Sequence, residues 1–471
     1  MNSPVASALP THSMVSLSRG LLFVFALPGI LQAFMLAPSA SILQGVYAKE
    51  SGITLVALGS AVLVVRLFDL VSDLLIGFLS DRSAQRGVSR KLWIAAGTVV
   101  TAIGLWFLFR PPPQVTVGYY GFWFLIANIG WSLVEIPYRS WSIEFSPEPN
   151  ERTRIVTWIA VASLLGGLMF YAVAPAGKAL GLLASAEINL QTLGLTAVIV
   201  TLLLPFLTLY TLIRVPDTKS VQVPVPVADI PKESFALLWK SVIGNAPLMR
   251  LLFCLSIYYF MTGMSQGVSL LYLTNYLGLS SSVNVVFALA VPLSMLGIPL
   301  WGLLITKFDR QRVWAGAMAV AGMFYGSMGL LPPQPSVLLL GVLFGTATFF
   351  SLSAVVAAPV IMGDIIDHGR HKFGVERAGL YLSLKAQIVK GAGAVAAGAG
   401  LIFLGWMGFD ASKSGADLTP QAVSALKWVV SWGPLLGMMG TAVLLWFMPI
   451  SRAGDTRAVE ARGDATGFAA D

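Results

Sequence analysis

The stretch RLFDLVSDLLIGFLSDR occupies residues 66–82 and lies in a mostly apolar run that begins near residue 53. A helix needs about 20 mostly apolar residues to cross a bilayer, and this run is long enough. Its interior nevertheless holds Arg66, Asp69 and Asp73. A charged side chain at the centre of a membrane helix costs roughly 2.5–3.5 kcal/mol on insertion scales, so its presence indicates a function. The stretch therefore predicts a membrane-spanning helix that carries a polar site.

The composition of the chain is that of a membrane protein. Of its 471 residues, 56% are hydrophobic and only 11% are charged, whereas a soluble globular domain has about 25% charged residues. So little charge excludes a soluble protein, a disordered chain, a coiled coil and a nucleic-acid-binding module, and no nucleic acid is expected as a partner. The single cysteine, Cys254, excludes an intramolecular disulfide.

Apolar runs of similar length recur along the chain, and none shows the alternating pattern of the strands of a membrane barrel. We predict an all-α membrane protein of twelve transmembrane helices. The predicted spans fall at residues 20–48, 53–81, 92–109, 111–134, 155–177, 188–213, 251–306 (two spans, divided at 278–282), 313–363 (two spans, divided at 332–335), 379–406 and 423–449.

The distribution of Lys and Arg orients these helices. With the N-terminus inside, 21 basic residues lie on the cytoplasmic side and five lie outside, and basic residues concentrate in cytoplasmic loops. We therefore predict an integral protein of the plasma (inner) membrane whose N- and C-termini are both cytoplasmic and whose surroundings are the lipid bilayer. The net charge of +8 then reflects this topology rather than an anionic partner.

The spans fall into two groups of six, separated by the longest polar interval. Matching features of the two groups have similar spacings, namely Gly77 and Gly302 (225 positions apart), Pro137 and Pro359 (222), and Arg154 and Arg377 (223). We predict two homologous six-helix bundles, 1–215 and 246–450, with a cytoplasmic middle loop, 216–245, and a cytoplasmic tail, 451–471. Such repeats bind substrate near the bilayer midplane, between the halves.

Asp69 and Asp73 are spaced one turn apart on one face of the second span. Two neighbouring carboxylates repel each other, so both stay ionised only with a cation between them, and otherwise one takes up a proton. The pair therefore predicts a site for a coupling ion, Na⁺ or H⁺. The alternative is that Arg66 neutralises Asp69 and that Asp73 faces water.

The fourth span contains a second charged turn, in which Glu135 and Arg139 flank Pro137. Proline removes a backbone donor and loosens the helix at this point. Glu135 is a candidate ligand of the cation, of substrate hydroxyl groups, or of both, and Ser132 would add a hydroxyl ligand one turn earlier. The alternative is that Glu135 and Arg139 satisfy only each other.

Three further side chains are candidates for the substrate site. Trp131 and Tyr138 could stack on sugar faces, although aromatic residues also serve as interfacial anchors and as packing. Lys390 lies in the eleventh span, at a stretch of small residues where helices pack closely, and could pair there with the acids. The predicted substrate-binding residues are Glu135, Arg139, Lys390, Tyr138 and Trp131.

Charged residues near the cytoplasmic helix ends are candidates for a salt-bridge gate, and solvated helix ends are the alternative. The candidates are Asp81, Arg82, Arg154, Asp364, Asp367 and Arg377. With only three histidines in the chain, no metal site is expected beyond a transported Na⁺. The sequence has neither a Walker-type glycine-rich loop nor a His-Glu-x-x-His motif, which argues against ATP-driven pumping and zinc proteolysis.

Several of these segments resemble the glycoside–pentoside–hexuronide:cation symporters, the melibiose-carrier-like family of the major facilitator superfamily. The resemblance covers about residues 50–410. It rests on Arg66-x2-Asp69-x3-Asp73-x3-Gly77, Glu135-Ile-Pro-Tyr138, Met362-Gly-Asp364-x2-Asp367 followed by Gly374-x2-Arg377-x-Gly379, and Lys390-Gly391. It implies that Asp69, Asp73 and Glu135 form the cation site, with Ser132 as its hydroxyl ligand and Lys390 as the family's lysine of the eleventh span.

The sequence departs from the melibiose-type pattern in its sugar-binding set. The first span has no acidic residue between Gly20 and Ala48, Ala160 stands where an arginine is expected, and Arg139 replaces a tryptophan. The cation-binding residues are thus kept and the sugar-binding residues are changed. Arg139 and Lys390, as positive groups, would suit an acidic sugar such as a uronide.

We therefore expect a monomeric secondary active transporter, with no enzyme activity and no cofactor. It would carry a sugar, glycoside or uronide together with Na⁺ or H⁺ by alternating access. The first alternative keeps the fold but carries a lysolipid or another amphiphile, or works as an exporter. The second, a non-transporting membrane sensor or enzyme, fits less well, because the acid pair has a use in cation coupling and none in catalysis.

Overall fold

The computed structural model describes residues 17–146, 148–217, 235–373 and 377–447, and these residues form helices and no strand. The first helices of the chain are α1 (Arg19–Ser41), α2 (Leu43–Glu50), α3 (Leu55–Gln85), α4 (Arg90–Phe109), α5 (Val117–Glu144), α6 (Pro149–Ala179), α7 (Leu190–Arg214) and α8 (Phe235–Ile243). The later helices are α9 (Ala246–Leu271), α10 (Val283–Met295), α11 (Gly297–Lys307), α12 (Arg310–Met328), α13 (Val337–Ser351), α14 (Ser353–Phe373), α15 (Ala378–Trp406), α16 (Pro420–Lys427) and α17 (Gly433–Trp446).

The predicted twelve spans are all present in this arrangement. Ten segments of the described chain are long and apolar enough to cross a membrane. Two further helices complete the set. Helix α3 has 31 residues and carries the charges of the second predicted span, whereas α12 has 19 residues, begins with two arginines and packs against α13 and α17. The all-α membrane fold is therefore confirmed.

Several spans consist of two helical segments, a feature that hydropathy did not predict. The eighth span is α10 followed by α11, with a break at Leu296, and the first span is α1 followed by α2, with a break at Ile42. Pro292 and Pro38 precede these breaks by four residues each. Proline lacks a backbone N–H, so each of these prolines removes the helical hydrogen bond to the carbonyl four residues earlier and weakens the turn before the break.

Three buried apolar clusters show how the two halves are joined. One cluster contains residues of both halves, including Leu31 and Leu271. A second lies only in the later half and a third only in the first half. We call the end of the molecule that holds the shared cluster the far end, and the opposite end, where α3 stops at Gln85 and α4 starts at Arg90, the basic end. The halves therefore share a core at the far end and have separate cores towards the basic end.

Helices α3 and α15 cross at the far end through two glycines. A Cβ atom at Gly59 or at Gly398 would lie 2.7 Å from the carbonyl oxygen of the other residue, which is closer than side chains approach a backbone. Only glycine permits this approach. Nearby, the ring of Tyr171 in α6 stacks on the ring of Phe287 in α10, with centroids 5.1 Å apart. The far end is thus closed by backbone and aromatic contacts between the halves.

The segment between the bundles contains a short helix that the sequence did not predict. Helix α8 forms within the predicted middle loop, 216–245, and the hydroxyl of Tyr381 in α15 donates to the carbonyl of Ser241 at 3.4 Å. The Val-Pro repeat at 221–231 and the predicted tail at 451–471 lie outside the described residues. The exact domain boundaries stay predictions.

Candidate ion and substrate site

A cavity of about 190 Å³ lies in the first half, and one residue of the second half, Lys390, completes its wall. Its walls come from α1, α3, α4 and α5 of the first half and from α15 of the second. It is lined by Met35, Leu36, Ser39, Arg66, Asp69, Thr101, Leu105, Leu108, Phe124, Ala127, Asn128, Trp131, Glu135 and Lys390. A few charged groups in a mostly apolar enclosure are typical of a small-molecule site.

The acid pair of α3 is bound to a lysine of the other half. The ammonium of Lys390 contacts the carboxylate of Asp73 and lies 3.7 Å from Oδ2 of Asp69. Asp69 is only 4% exposed, and Nη1 of Arg66, one turn earlier on the same face, lies 3.6 Å from the same oxygen. Two ionised neighbouring carboxylates require positive charge beside them, and here Lys390 and Arg66 supply it.

The contacts of Lys390 given above do not use the Oδ1 atom of either acid. The hydroxyl of Ser132 in α5 donates to Oδ1 of Asp73 at 2.5 Å. The Oδ1 atom of Asp69 is buried and has no hydrogen-bond partner in the described part of the chain. A buried acceptor without a partner costs about 1–3 kcal/mol, and oxygen atoms are the ligands that hard cations prefer. Asp69, Asp73 and Ser132 together therefore offer the donor set of a small cation site.

Glu135 belongs to a separate cluster along α5. The indole Nε1 of Trp131 donates to one carboxylate oxygen of Glu135 at 2.8 Å. Arg139 lies 2.7 Å from the other oxygen, and its side chain is 75% exposed. Glu135 thus lines the cavity, but both of its oxygens are bound by neighbours on its own helix and not by the residues around Asp69 and Asp73.

Asn128 is a cavity residue that the sequence did not identify, and Arg66, predicted only as a possible partner of Asp69, also lines the cavity. Nη1 of Arg66 donates to Oδ1 of Asn128 at 2.9 Å, and the Arg66 guanidinium lies 5.2 Å from the ring centroid of Phe124. Asn128 Nδ2 in turn donates to the Phe124 carbonyl at 2.7 Å. A signal was present, since Phe124, Asn128, Trp131 and Glu135 recur every three or four residues and so share one face of α5.

The structure corrects the prediction for Tyr138. Its side chain is 2% exposed and lies in the core of the first half. Its hydroxyl donates to the Phe25 carbonyl at 2.7 Å, and the two rings stack with centroids 5.3 Å apart. Because both its hydroxyl and its ring are used in the core, Tyr138 is not on the cavity wall. Trp131, the other predicted aromatic residue, does line the cavity.

Two predicted gate residues are held by arginines of their own half. Arg90, which starts α4, lies 2.9 Å from Asp81 and 2.6 Å from Glu144. Arg310, which starts α12, lies 2.6 Å from Asp364. Arg90 and Arg310 are 220 positions apart, as are Glu144 and Asp364, so the same ion pair occurs once in each half. Neither arginine was a candidate from the sequence.

The other gate candidates have different surroundings. Arg154 lies 2.5 Å from Glu151 of its own helix. Arg82 is at the end of α3, Asp367 is exposed on α14, and Arg377 directly precedes α15. Each of the ion pairs given above for Asp81, Asp364 and Arg154 joins two residues of the same half, and none joins the first half to the second. The role of these residues as a gate stays a prediction.

Comparisons with known proteins agree with the all-α membrane fold. A family model described as MFS/sugar transport protein matches residues 24–452. The glucuronide carrier protein homolog of Escherichia coli (strain K12) is 22% identical over 91% of this chain and 92% of its own length. An uncharacterized symporter of Synechocystis sp. is 27% identical, but the match spans only 25% of this chain and 24% of that protein. A crystal structure of a variant of the nucleoside transporter NupG has a TM-score of 0.63 at 14% identity, and the match covers 91% of this chain and 98% of that one.

Proposed function

The chain belongs to the MFS/sugar transport protein family, and we propose that it is a secondary active transporter in which Na⁺ or H⁺ drives the symport of a sugar, glycoside or uronide. The observation that carries this proposal is the ion cluster of Asp69, Asp73, Ser132 and Lys390. It joins α3 of one half to α15 of the other beside the central cavity. An ion that binds in this cluster acts on the contact between the two halves.

In this proposal the coupling ion competes with Lys390. The ammonium occupies the space between the two carboxylates that Na⁺ would need, so Na⁺ binding requires the lysine to withdraw. A proton would have a similar effect, because a neutral carboxyl group on Asp73 no longer attracts the ammonium. Ion binding therefore releases Lys390 towards the cavity. Glu135, on the cavity wall, is a further acid near the path of the ion.

We propose an acidic sugar as the substrate because two basic residues of the cavity wall, Arg66 and Lys390, could bind its carboxylate, although the acids Asp69 and Glu135 also line the cavity. Arg139 is exposed beside Glu135. The released ammonium of Lys390 would bind the carboxylate of a uronide, while the Trp131 indole supplies an apolar face for the sugar ring. Ion and substrate then raise each other's affinity, as linked binding requires. The name of the Escherichia coli relative agrees with a uronide.

The two bundles supply the moving parts. We propose that residues 1–215 rock against residues 246–450 around the ion cluster. Basic residues mark the cytoplasmic side of a membrane protein, so the basic end faces the cytoplasm. The shared core at the far end then closes the cavity to the outside. In this proposal the structure corresponds to the state that faces inwards, with Arg90, Arg310 and their acidic partners at the cytoplasmic helix ends.

Thermal unfolding of the purified protein tests this function. A ligand that binds only the native state stabilises it, by about 2.7 kcal/mol at a hundred times its Kd. We expect a glucuronide to raise the midpoint temperature of unfolding more than the matched neutral glucoside does. We also expect the glucuronide to raise this temperature more in NaCl than in choline chloride. A glucuronide effect that needs low pH but not Na⁺ would indicate proton coupling. Stabilisation by lysolipids alone would favour the amphiphile carrier.

Uptake into proteoliposomes tests the transport step itself. An inward Na⁺ or H⁺ gradient should drive the accumulation of the stabilising sugar, and Asp73→Asn should abolish that accumulation. Accumulation driven only by an outward ion gradient would favour the exporter. If the sugar binds but no gradient moves it, the protein is not a transporter and the proposal is wrong.

A further inference from the structure

A second concave site lies at the far end of the first half, away from the central cavity. It is a groove of about 610 Å³ between the end of α4, the start of α7 and the loop that connects α6 to α7. The groove is lined by Arg110, Pro111, Leu182, Leu183, Leu190, Gln191, Gly194, Leu195 and Val198. None of these residues lines the central cavity, so the groove is not part of the proposed substrate site.

The groove has one positive charge at its outer edge. Arg110 is exposed, and its guanidinium lies 4.6 Å from the ring centroid of Trp106. In the described part of the chain no carboxylate approaches this guanidinium within 4 Å. The arginine stem lies along Gly194, because a Cβ atom there would be 3.8 Å from Cγ of Arg110. The aromatic ring and the glycine hold the side chain in place, and its N–H groups remain available to an anion.

The groove becomes apolar towards the membrane interior. Helix α7 starts at Leu190, so Val198 lies about 12 Å deeper along its axis. One headgroup layer of a bilayer is roughly 5–8 Å thick, and the groove therefore extends from the headgroup layer into the hydrocarbon. Gln191 lies near the start of α7 among apolar residues, the stem of Arg110 packs one turn deeper against Gly194, and Leu195 and Val198 follow beyond it. Leu182, in the loop, is 63% exposed and would lie beside a bound chain.

We propose that this groove binds an anionic phospholipid of the bilayer. The phosphate accepts hydrogen bonds from Arg110, because a guanidinium binds the oxygens of a phosphate through two parallel N–H groups. One acyl chain lies along the apolar side chains of Leu195 and Val198. The anionic head of a phospholipid matches the charge of Arg110, and its acyl chain matches the apolar side chains of Leu195 and Val198. A small soluble anion would leave the apolar part of the groove unfilled.

Native mass spectrometry of the full-length protein in detergent tests this site. The delipidated protein is mixed with phosphatidylglycerol, with phosphatidylethanolamine, or with inorganic phosphate. We expect wild type to retain phosphatidylglycerol about fivefold better than phosphatidylethanolamine, which is the contribution of one basic residue near an anionic headgroup. In Arg110→Gln this preference should disappear. Equal retention of the two lipids by wild type, or an unchanged preference in Arg110→Gln, would overturn the proposal.

Three matched variants separate the groove from a general charge effect. Gly194→Leu fills the groove and should reduce retention of both lipids, whereas Gly194→Ala fits the available space and should bind as wild type does. Lys413→Gln removes an exposed charge outside the groove and should change nothing. If Gly194→Leu retains both lipids, or if inorganic phosphate displaces phosphatidylglycerol completely, the groove is not a lipid site. The midpoint of thermal unfolding identifies any variant that fails to fold, and Arg110→Gln then decides the question.

Discussion

Lys390 of α15 is ion-paired with Asp73 of α3, so one contact joins the two halves of the molecule at its most polar point. The carboxylate of Asp69 lies on the same side of the ammonium, 3.7 Å away. A lysine between two acids occupies the place of a small cation and carries the same charge. In the proposed function, the ion affinity therefore depends on how firmly Lys390 is held there.

Replacement of this lysine should raise the affinity for Na⁺. In Lys390→Met the two carboxylates lose the positive charge that binds them, and an added cation no longer has to displace it. If displacement costs about 1.4 kcal/mol, Na⁺ should bind roughly tenfold more tightly. Thermal unfolding against NaCl concentration measures this, with Lys413→Met as the control. If the NaCl concentration that gives half-maximal stabilisation is the same in Lys390→Met as in wild type, Na⁺ does not compete with the lysine.

Neutralisation of Asp73 should abolish coupling without unfolding the protein. Asp73→Asn keeps the size of the side chain and an oxygen for the Ser132 hydroxyl, but removes the charge that binds a cation. Na⁺- or H⁺-driven uptake should fall by more than about tenfold, because loss of one charged ligand costs at least about 1.4 kcal/mol. Asp417→Asn, at an exposed loop position, is the matched control. Undiminished ion-driven uptake in Asp73→Asn would contradict the site assignment.

A side chain at the glycine crossing should open the far end. In Gly398→Ala the new Cβ would lie 2.7 Å from the Gly59 carbonyl oxygen, so α3 and α15 must separate. Overpacking of this kind costs about 1–3 kcal/mol and should lower the midpoint of unfolding. Gly440→Ala, whose Cβ meets nothing within 4 Å, should not lower it.

The same substitution has a conformational readout. A cysteine placed at Phe287, in the contact with Tyr171, should react faster with a thiol reagent in the Gly398→Ala background than in the parent. This measurement needs a Cys254→Ala parent, since Cys254 is the one native cysteine. Equal reaction rates in the two backgrounds would show that the glycine crossing does not control closure.

Loss of either repeated ion pair should destabilise its own half. Arg90 is buried and binds Asp81, Glu144 and the hydroxyl of Ser80. Removal of one partner of a buried pair costs up to 3–5 kcal/mol, and we expect about 1–3 kcal/mol for Arg90→Gln because Glu144 is partly exposed. Unfolding by urea or by heat would measure this loss of stability in Arg90→Gln.

Two further variants compare the ion pairs of the two halves and provide a control. Arg310→Gln should cost less than Arg90→Gln, because Arg310 binds one acid, Asp364, and its side chain is more exposed. Arg82→Gln, at an exposed position, should have almost no effect. Equal stability of all three variants would show that these pairs contribute nothing to the fold.

The sequence by itself identified the class of protein and the charged residues of the candidate site. A bilayer imposes a fixed apolar length on each span and penalises every charge within it, so both signals are local and can be read along the chain. The sequence also indicated that Asp69 and Asp73 share a helical face, because their spacing is one helical turn.

Apart from the contact of Lys390 with the acids, the sequence did not predict how residues of different helices meet. Tyr138 and Trp131 are both aromatic residues of α5, yet one is buried in a core and the other lines the cavity. Arg90 and Arg310 were indistinguishable from other loop arginines until the structure placed each beside an acid.

The membrane fold and its charged spans were thus determined by sequence, which also predicted that Lys390 could pair with the acids, whereas the tertiary structure alone decided the closure at Gly59 and Gly398 and the ion pairs of Arg90 and Arg310. The physical reason is that apolar length and helical period are properties of a single segment. A contact between α3 and α15 depends instead on how two segments far apart along the chain approach each other, which hydropathy does not encode.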